Sequence, residues 1–217
     1  MSARRAPSEQ GARSYVSRGG AKLERALDAF GIDVNGRRAL DAGASTGGFT
    51  DCLLRRGALH VVAVDVAYGA FAWTLRNDDR VHVIERTNVR SLDLASVDEE
   101  PVDVIVADLS FISLTVVRDA LLAAARRDAS LVLLVKPQFE APRARVERGG
   151  VVRDPEVWRA AIRSVAESYR DAGCVVVGAC ASPLVGPAGN REFFLHLRRD
   201  GIDAGDATFD AALEEAP

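Results

Sequence analysis

Ala39-Leu40-Asp41-Ala42-Gly43-Ala44-Ser45-Thr46-Gly47-Gly48-Phe49-Thr50 reads as the end of a buried strand, a glycine-rich turn and the start of a helix. Gly43 falls where the strand must turn sharply, a position that suits a residue without Cβ. Gly47 and Gly48 are expected to let the main chain approach a ligand at the helix N-terminus. Asp41, at the strand end, directs a carboxylate toward the same space. The next apolar run, His60 to Val64, ends in a second acid, Asp65. A carboxylate there suits a vicinal ribose diol, which offers two hydroxyl donors.

The glycine spacing narrows the ligand. Dinucleotide sites carry Gly-x-Gly-x-x-Gly and seat a pyrophosphate on the helix N-terminus. Here the pattern is Gly-x-x-x-Gly-Gly preceded by an acid. That acid repels a pyrophosphate and pairs with an ammonium. S-adenosylmethionine (SAM) has an amino-acid end and no phosphates, so the segment favours SAM over a dinucleotide. A glycine-rich turn without a ligand is the plainer alternative.

Outward from this turn, apolar runs alternate with amphipathic ones. Strands are expected at Ala39–Asp41, His60–Val66, Val81–Glu85, Val102–Ala107, Leu131–Val135, Val175–Cys180 and Glu192–Leu197. Helices are expected at Ala21–Phe30, Gly48–Arg56, Phe71–Arg76, Leu114–Arg127 and after Asp154-Pro155, with Gly31 and Gly173 past two of their ends. Such alternation implies a mostly parallel sheet covered by helices on both faces. The last two strands have no helix between them, which predicts a hairpin-like pairing and an antiparallel final strand. The expected fold class is therefore α/β and Rossmann-like: a seven-stranded sheet of the SAM-dependent methyltransferase type.

The 217 residues suffice for one such domain, and 48% hydrophobic with 27% charged residues is ordinary for a soluble protein. Net charge is −3, but unevenly spread: residues 1–25 carry six basic side chains, and the segment from Asp200 carries six acids and no base. The body is thus more basic than the total, which leaves room for an RNA-binding face. Residues 1–14 read as a flexible basic arm, 15–199 as the catalytic domain and 200–217 as a disordered acidic tail. Cys52, Cys174 and Cys180 sit in apolar surroundings without a C-x-x-C pair, so neither a disulfide framework nor a metal site is expected. His60, His82 and His196 lie within strand-like runs and read as structural. No run of 18 apolar residues and no leader pattern is present, which predicts a cytoplasmic protein without membrane association.

In an open α/β sheet, ligands gather beyond the carboxyl ends of the strands. Asp108 and Lys136 directly follow two such ends, and Asn88 lies three residues after a third. A lysine behind five apolar residues is costly unless paired. Lys22 sits near the start of the first helix, where a cation is electrostatically unfavourable, and Glu192 opens the last strand. Each alone also fits an ordinary surface charge.

Taken together, Ser17-Arg-Gly-Gly-Ala-Lys22, the Asp41–Thr50 segment, Ala107-Asp-Leu-Ser-Phe111, Val135-Lys-Pro-Gln-Phe-Glu140 and Gly189-Asn-Arg-Glu-Phe193 resemble the TlyA (hemolysin A-type) family over about residues 13–199. These are ribosomal RNA 2′-O-methyltransferases with an FtsJ-like catalytic domain. The resemblance implies a Lys-Asp-Lys-Glu catalytic set at Lys22, Asp108, Lys136 and Glu192, with SAM as methyl donor and a cytidine ribose as acceptor. It also implies a SAM site formed by Asp41, Gly43, Ser45, Thr46, Gly47, Gly48, Phe49, Asp65, Asn88, Val89, Asp108 and Phe111. Two departures accompany it. The usual N-terminal S4-type domain is replaced by a short basic arm, and Tyr15 stands where the family commonly has Trp.

In this reading Lys136 acts on the ribose hydroxyl, and Lys22 supplies a second positive charge. Asp108 and Glu192 orient the two ammoniums. Ribosomal RNA or a ribosomal subunit is the expected partner, met by Arg4, Arg5, Arg13 and Arg18 and by the loop bearing Arg143, Arg145, Arg148 and Arg153; a monomer is the expected state. The competing readings are a SAM-dependent enzyme for small molecules, which has no need of the Lys-Asp-Lys-Glu set, and a catalytically idle ribosome- or RNA-binding protein.

Overall fold

The computed structural model describes residues 14–93 and 95–216; most of the expected basic arm, residues 1–13, lies outside the described residues. Seven strands form one sheet: β1 (Arg38–Ala42), β2 (His60–Val64), β3 (Val81–Ile84), β4 (Val102–Ala107), β5 (Ala125–Val135), β6 (Val175–Ala181) and β7 (Phe193–Arg198). Their spatial order is β3-β2-β1-β4-β5-β7-β6. The first five pair in parallel, and β7 runs antiparallel to both β5 and β6. The expected reversal of the last strand is present. Strand order reverses direction between β1 and β4, so a crevice opens beyond Ala42 and Ala107, the place where such sheets hold ligands.

Helices α1 (Gly19–Phe30) and α2 (Gly48–Arg55) cover one face; α4 (Leu114–Ala124), α6 (Pro155–Asp171) and α7 (Ala207–Glu214) cover the other, while α3 (Trp73–Arg76) and α5 (Pro137–Glu140) are single turns. Alternation along the strands feeds both layers: Leu40 and Ala42 enter one core, Ala39 the other. Helix boundaries follow local chemistry. Gly31 takes φ 62° and closes α1. The Asp154 carboxylate accepts from Glu156 N–H at 2.9 Å and starts α6, with Pro155 in its first turn.

Two expectations need correcting. The helix α4 ends at Ala124 and not at Arg127. Ala125 already pairs with Val102, and a register shift between Val102 and Val104 absorbs the extra residues that bring Ser130 opposite Val104. Arg126 is held outside by Glu100, Asp103 and the Pro101 carbonyl. The acidic segment is not a disordered tail. Ala207–Glu214 is helical, with Phe209 fully buried. Three of its six acids are neutralised by α6: Asp210 by Arg159, Asp206 by Arg163 and Arg170, and Asp203 by Arg170. Burial of Phe209, together with these partly exposed ion pairs, offsets the ordering cost that composition alone implied.

The chain enters the domain through a clamp. Val16 N–H donates to Asp51, Tyr15 hydroxyl donates to Glu24, and the Arg55 guanidinium lies 4.6 Å over the Tyr15 ring. A Cβ on Gly20 would stand 2.1 Å from Tyr15 Cγ, so the first turn of α1 can accept Tyr15 only with glycine there.

His196, on β7, is 4% exposed, and neither ring nitrogen has a partner among the described residues. Burial, aided by Arg198, lowers its pKa to about 4. The unfolded chain then binds a proton that the folded one refuses, so stability is lost as pH falls from about 6.5 to about 4. His196→Leu should remove up to about 3 kcal/mol of that acid sensitivity. Urea midpoints measured on both proteins across this range test it; parallel curves would contradict it. His60 and His82 share the Asp98 carboxylate at 2.9 and 2.7 Å at the other end of the sheet.

Candidate active site

The crevice at the β1–β4 switch contains two cavities, of about 330 and 800 Å3, which share Gly43, Ser45, Asp108 and Ser110 and so form one cleft. Its floor is the glycine turn. Gly43 has φ 87°, and a Cβ there would lie 2.5 Å from the Asp108 carbonyl oxygen. The close approach of the β1 and β4 exits therefore depends on this glycine. The Asp108 N–H donates to Ala42 carbonyl at 3.0 Å and locks the same junction.

Asp65 lies where a ribose acceptor was expected. Its two carboxylate oxygens accept from Ser45 and Ala67 N–H, each at 2.7 Å, which orients the group at the cleft wall. Asn88 and Val89 line the larger cavity with it. Ser45, Thr46, Gly48 and Phe49 line the smaller one.

Two placements differ from expectation. Asp41 is fully buried and lines neither cavity; the Thr50 hydroxyl donates to its Oδ2 at 2.6 Å and its Oδ1 has no partner among the described residues. Burial, with help from the nearby Asp108 and Asp65 charges, raises its pKa to about 7. It sits behind the turn because alternation along β1 directs it into the protein. Gly47 caps α2 at φ 95° and faces Leu75 and Phe71, not a ligand: a Cβ would stand 2.5 Å from Leu75 Cδ1. Phe111 lines the larger cavity from its mouth. It is 91% exposed at φ 64°, with its ring 5.1 Å from that of Phe139 at the cleft mouth.

The two lysines and two acids converge. Lys22 Nζ lies 2.5 Å from Glu192 Oε2, with side chains 7% and 2% exposed. Lys136 Nζ lies 2.5 Å from Asp108 Oδ1 and donates to Ser110 Oγ at 3.0 Å. All four line the 330 Å3 cavity. The cation at the start of α1, costly on the helix alone, is compensated by a carboxylate 170 residues away. Sequence reasoning missed Ser110; its position two residues after Asp108 was the available signal. It also missed Arg90, which lines the larger cavity. Arg18 is exposed at the rim and donates to the Val185 carbonyl.

These groups can hold SAM. Asp65 and Asp108 flank one turn, and Asp41 lies behind it, its pKa raised by burial and by the charges of the other two. Such a field opposes a pyrophosphate and accepts a ligand carrying sulfonium and ammonium charges. All three cysteines are free and buried, and no metal-binding cluster occurs among the described residues.

A Rossmann-like sheet with a reversed seventh strand, and an acid-ringed glycine turn at its switch point, define a methyltransferase of the SAM-dependent class. A SAM-dependent methyltransferase from Mesorhizobium loti shares this fold at TM-score 0.59 and 17% identity, covering 82% of this chain and 98% of that one. The chain belongs to the FtsJ-like methyltransferase family, whose model matches residues 15–199. It is 57% identical over 186 residues to the 16S/23S rRNA (cytidine-2′-O)-methyltransferase TlyA of Mycobacterium tuberculosis, covering 86% of this chain and 69% of the relative. A crystal structure described as a hemolysin of Lactococcus lactis superposes at TM-score 0.88 with 41% identity, covering 92% and 97% of the two chains. No helix among the described residues is long and apolar enough to cross a membrane.

Proposed function

We propose that this protein transfers a methyl group from SAM to the ribose 2′-hydroxyl of a cytidine in ribosomal RNA. The observation that carries this is the convergence of Lys22–Glu192 and Lys136–Asp108 on one cleft. A small-molecule enzyme has no use for two compensated ammoniums beside the methyl-donor pocket. A 2′-hydroxyl, by contrast, is a weak nucleophile that needs polarisation and a route for its proton.

When bound, SAM supplies an electrophilic methyl group on a positively charged sulfur. Asp65 holds the ribose of that ligand, Asn88 and Val89 flank its adenine, and Ser45, Thr46, Gly48 and Phe49 surround its amino-acid end. Asp41 acts from behind the turn as a brace, its Oδ2 accepting from the Thr50 hydroxyl and so tying the end of β1 to α2. Lys136 Nζ, oriented by Asp108 and Ser110, first releases its own ammonium proton to solvent and then, as the neutral amine, takes the proton from the acceptor hydroxyl. Lys22, held by Glu192, keeps a second positive charge beside it. Most of the acceleration comes from placing the acceptor oxygen about 3–3.5 Å from the methyl carbon.

A third cavity, of about 340 Å3, adjoins Lys136 and Glu192 on the side away from the SAM turn and takes the acceptor nucleotide. The exposed Phe111 ring at its edge offers a stacking face. Phosphates are met by Arg18, Arg143 and Arg148, all exposed; Arg145 and Arg153 are engaged with Asp154 and Glu147. Replacing Arg143 and Arg148 by Gln should flatten the dependence of log affinity on log salt by roughly 0.7–0.9 per lost phosphate contact. An unchanged slope in filter-binding titrations would remove them from the RNA interface.

The direct test is incubation with methyl-labelled SAM and each purified ribosomal subunit, followed by mapping of the modified ribose. Label on a cytidine 2′-oxygen is the expected result. Label confined to base atoms, or none on either subunit, refutes the function.

A further inference from the structure

The third cavity is not walled by the sheet. Its outer side is two loops, the turn 186–190 before β7 and the arginine-bearing segment 143–153, which contributes Gly149 and Gly150. Apart from a single 3-10 turn at Arg143–Arg145, neither loop is a regular element, and both adjacent glycines of the second lie at positive φ (93° and 78°). Such a segment holds its shape only if something fastens it.

Within the segment Glu147 N–H donates to the Val151 carbonyl and Gly150 N–H to the Glu147 carbonyl, each at 3.0 Å, and one side chain, that of Asn190, ties it to the turn 186–190. Asn190 is 3% exposed. Its Oδ1 accepts from Val152 N–H at 2.9 Å, and its Nδ2 donates to the Gly150 carbonyl at 2.9 Å. Its own carbonyl accepts from Gly186 N–H at 2.9 Å, closing the turn from which it projects. Val152 is anchored in turn: it is 2% exposed and its carbonyl accepts from Trp158 Nε1 on α6. Asn190 stands two residues before Glu192. The strand entry that presents a carboxylate to Lys22 therefore also sets where the loop carrying Arg148 stands.

We propose that Asn190 is a positioning residue for the RNA substrate, fixing the 147–152 loop as the outer wall of the nucleotide cavity and tying it to the reaction centre. This rests on the function proposed above. An amide suits the task because it gives one acceptor and one donor to two backbone groups, the Val152 N–H and the Gly150 carbonyl, that flank Val151. A carboxylate keeps the contact with Val152 N–H and opposes the Gly150 carbonyl, whereas Ala loses both.

The test compares wild type with Asn190→Ala and Asn190→Asp in the full chain. Amide hydrogen exchange over 146–153 should speed up in both variants, more in Asn190→Ala. The KM for the methylated ribosomal subunit should rise roughly tenfold, with kcat falling less and calorimetric SAM affinity within about twofold of wild type. Asn190→Asp should lie between wild type and Asn190→Ala. Faster exchange with unchanged KM would overturn the proposal, because the loop would then be a bystander. An equal loss of SAM affinity would overturn it too, by placing the defect in the donor site. Wild type that methylates neither subunit refutes the function; active wild type with unaffected variants refutes only this role of Asn190.

Discussion

Lys136→Ala is expected to slow methyl transfer to RNA by about 10^2- to 10^4-fold, the usual contribution of a positioned proton acceptor. SAM affinity should change little, because Asp65, Asn88 and the Ser45–Phe49 turn remain. The argument is geometric. Lys136 ends the fully buried run Leu131–Val135 of β5, so its Cα is fixed by the sheet. Its Nζ is steered by Asp108 and Ser110 and not left to solvent. Lys136→Arg sharpens the test. A guanidinium restores the ion pair with Asp108 but does not accept a proton at neutral pH. Single-turnover rates for the three proteins, with SAM binding measured separately, decide the point. An arginine variant at wild-type speed would reduce Lys136 to a polarising charge; an alanine variant at wild-type speed would remove it from the mechanism.

Glu192→Ala should destabilise the fold by about 3–5 kcal/mol, because it strands the Lys22 ammonium in a buried site. Exposure of 7% and 2% for the two side chains leaves water little access to compensate. Replacing both partners, Lys22→Met with Glu192→Leu, should recover most of that stability, since apolar substitution of a buried pair is often neutral. Activity should not return with it. That combination separates a structural ion pair from a functional one. Chemical denaturation of the two variants and methyl transfer by the double variant supply the measurements. Recovery of activity in the double variant would show that the pair serves folding alone, and a loss under 1 kcal/mol in Glu192→Ala would show that the site is wetter than its exposure implies.

Much of this was legible along the chain. Alternating apolar runs marked all seven strands, and the missing helix between β6 and β7 marked the reversal. The place of Asp65 on the cleft wall was readable because strand ends are where α/β sheets put ligands. Asp41 was misjudged for a local reason: one residue of strand alternation decides whether a carboxylate meets the cleft or lies behind it, and the exit geometry at Gly43 is set by contact with Asp108. Gly47 misled similarly, since its lack of Cβ accommodates Leu75 and Phe71. The acidic segment was misread because composition counts its charges but not their partners, and the three arginines of α6 that neutralise three of them lie more than 30 residues earlier.

Sequence periodicity alone determined the α/β class, the strand positions and the glycine turn, because these depend on neighbours a few residues apart. Only the tertiary structure decided that Lys22 meets Glu192, that Lys136 meets Asp108 and that both pairs share one cleft. Lys22 and Glu192 are separated by 170 residues, and their encounter is set by β7 inserting between β5 and β6. No local pattern encodes that insertion.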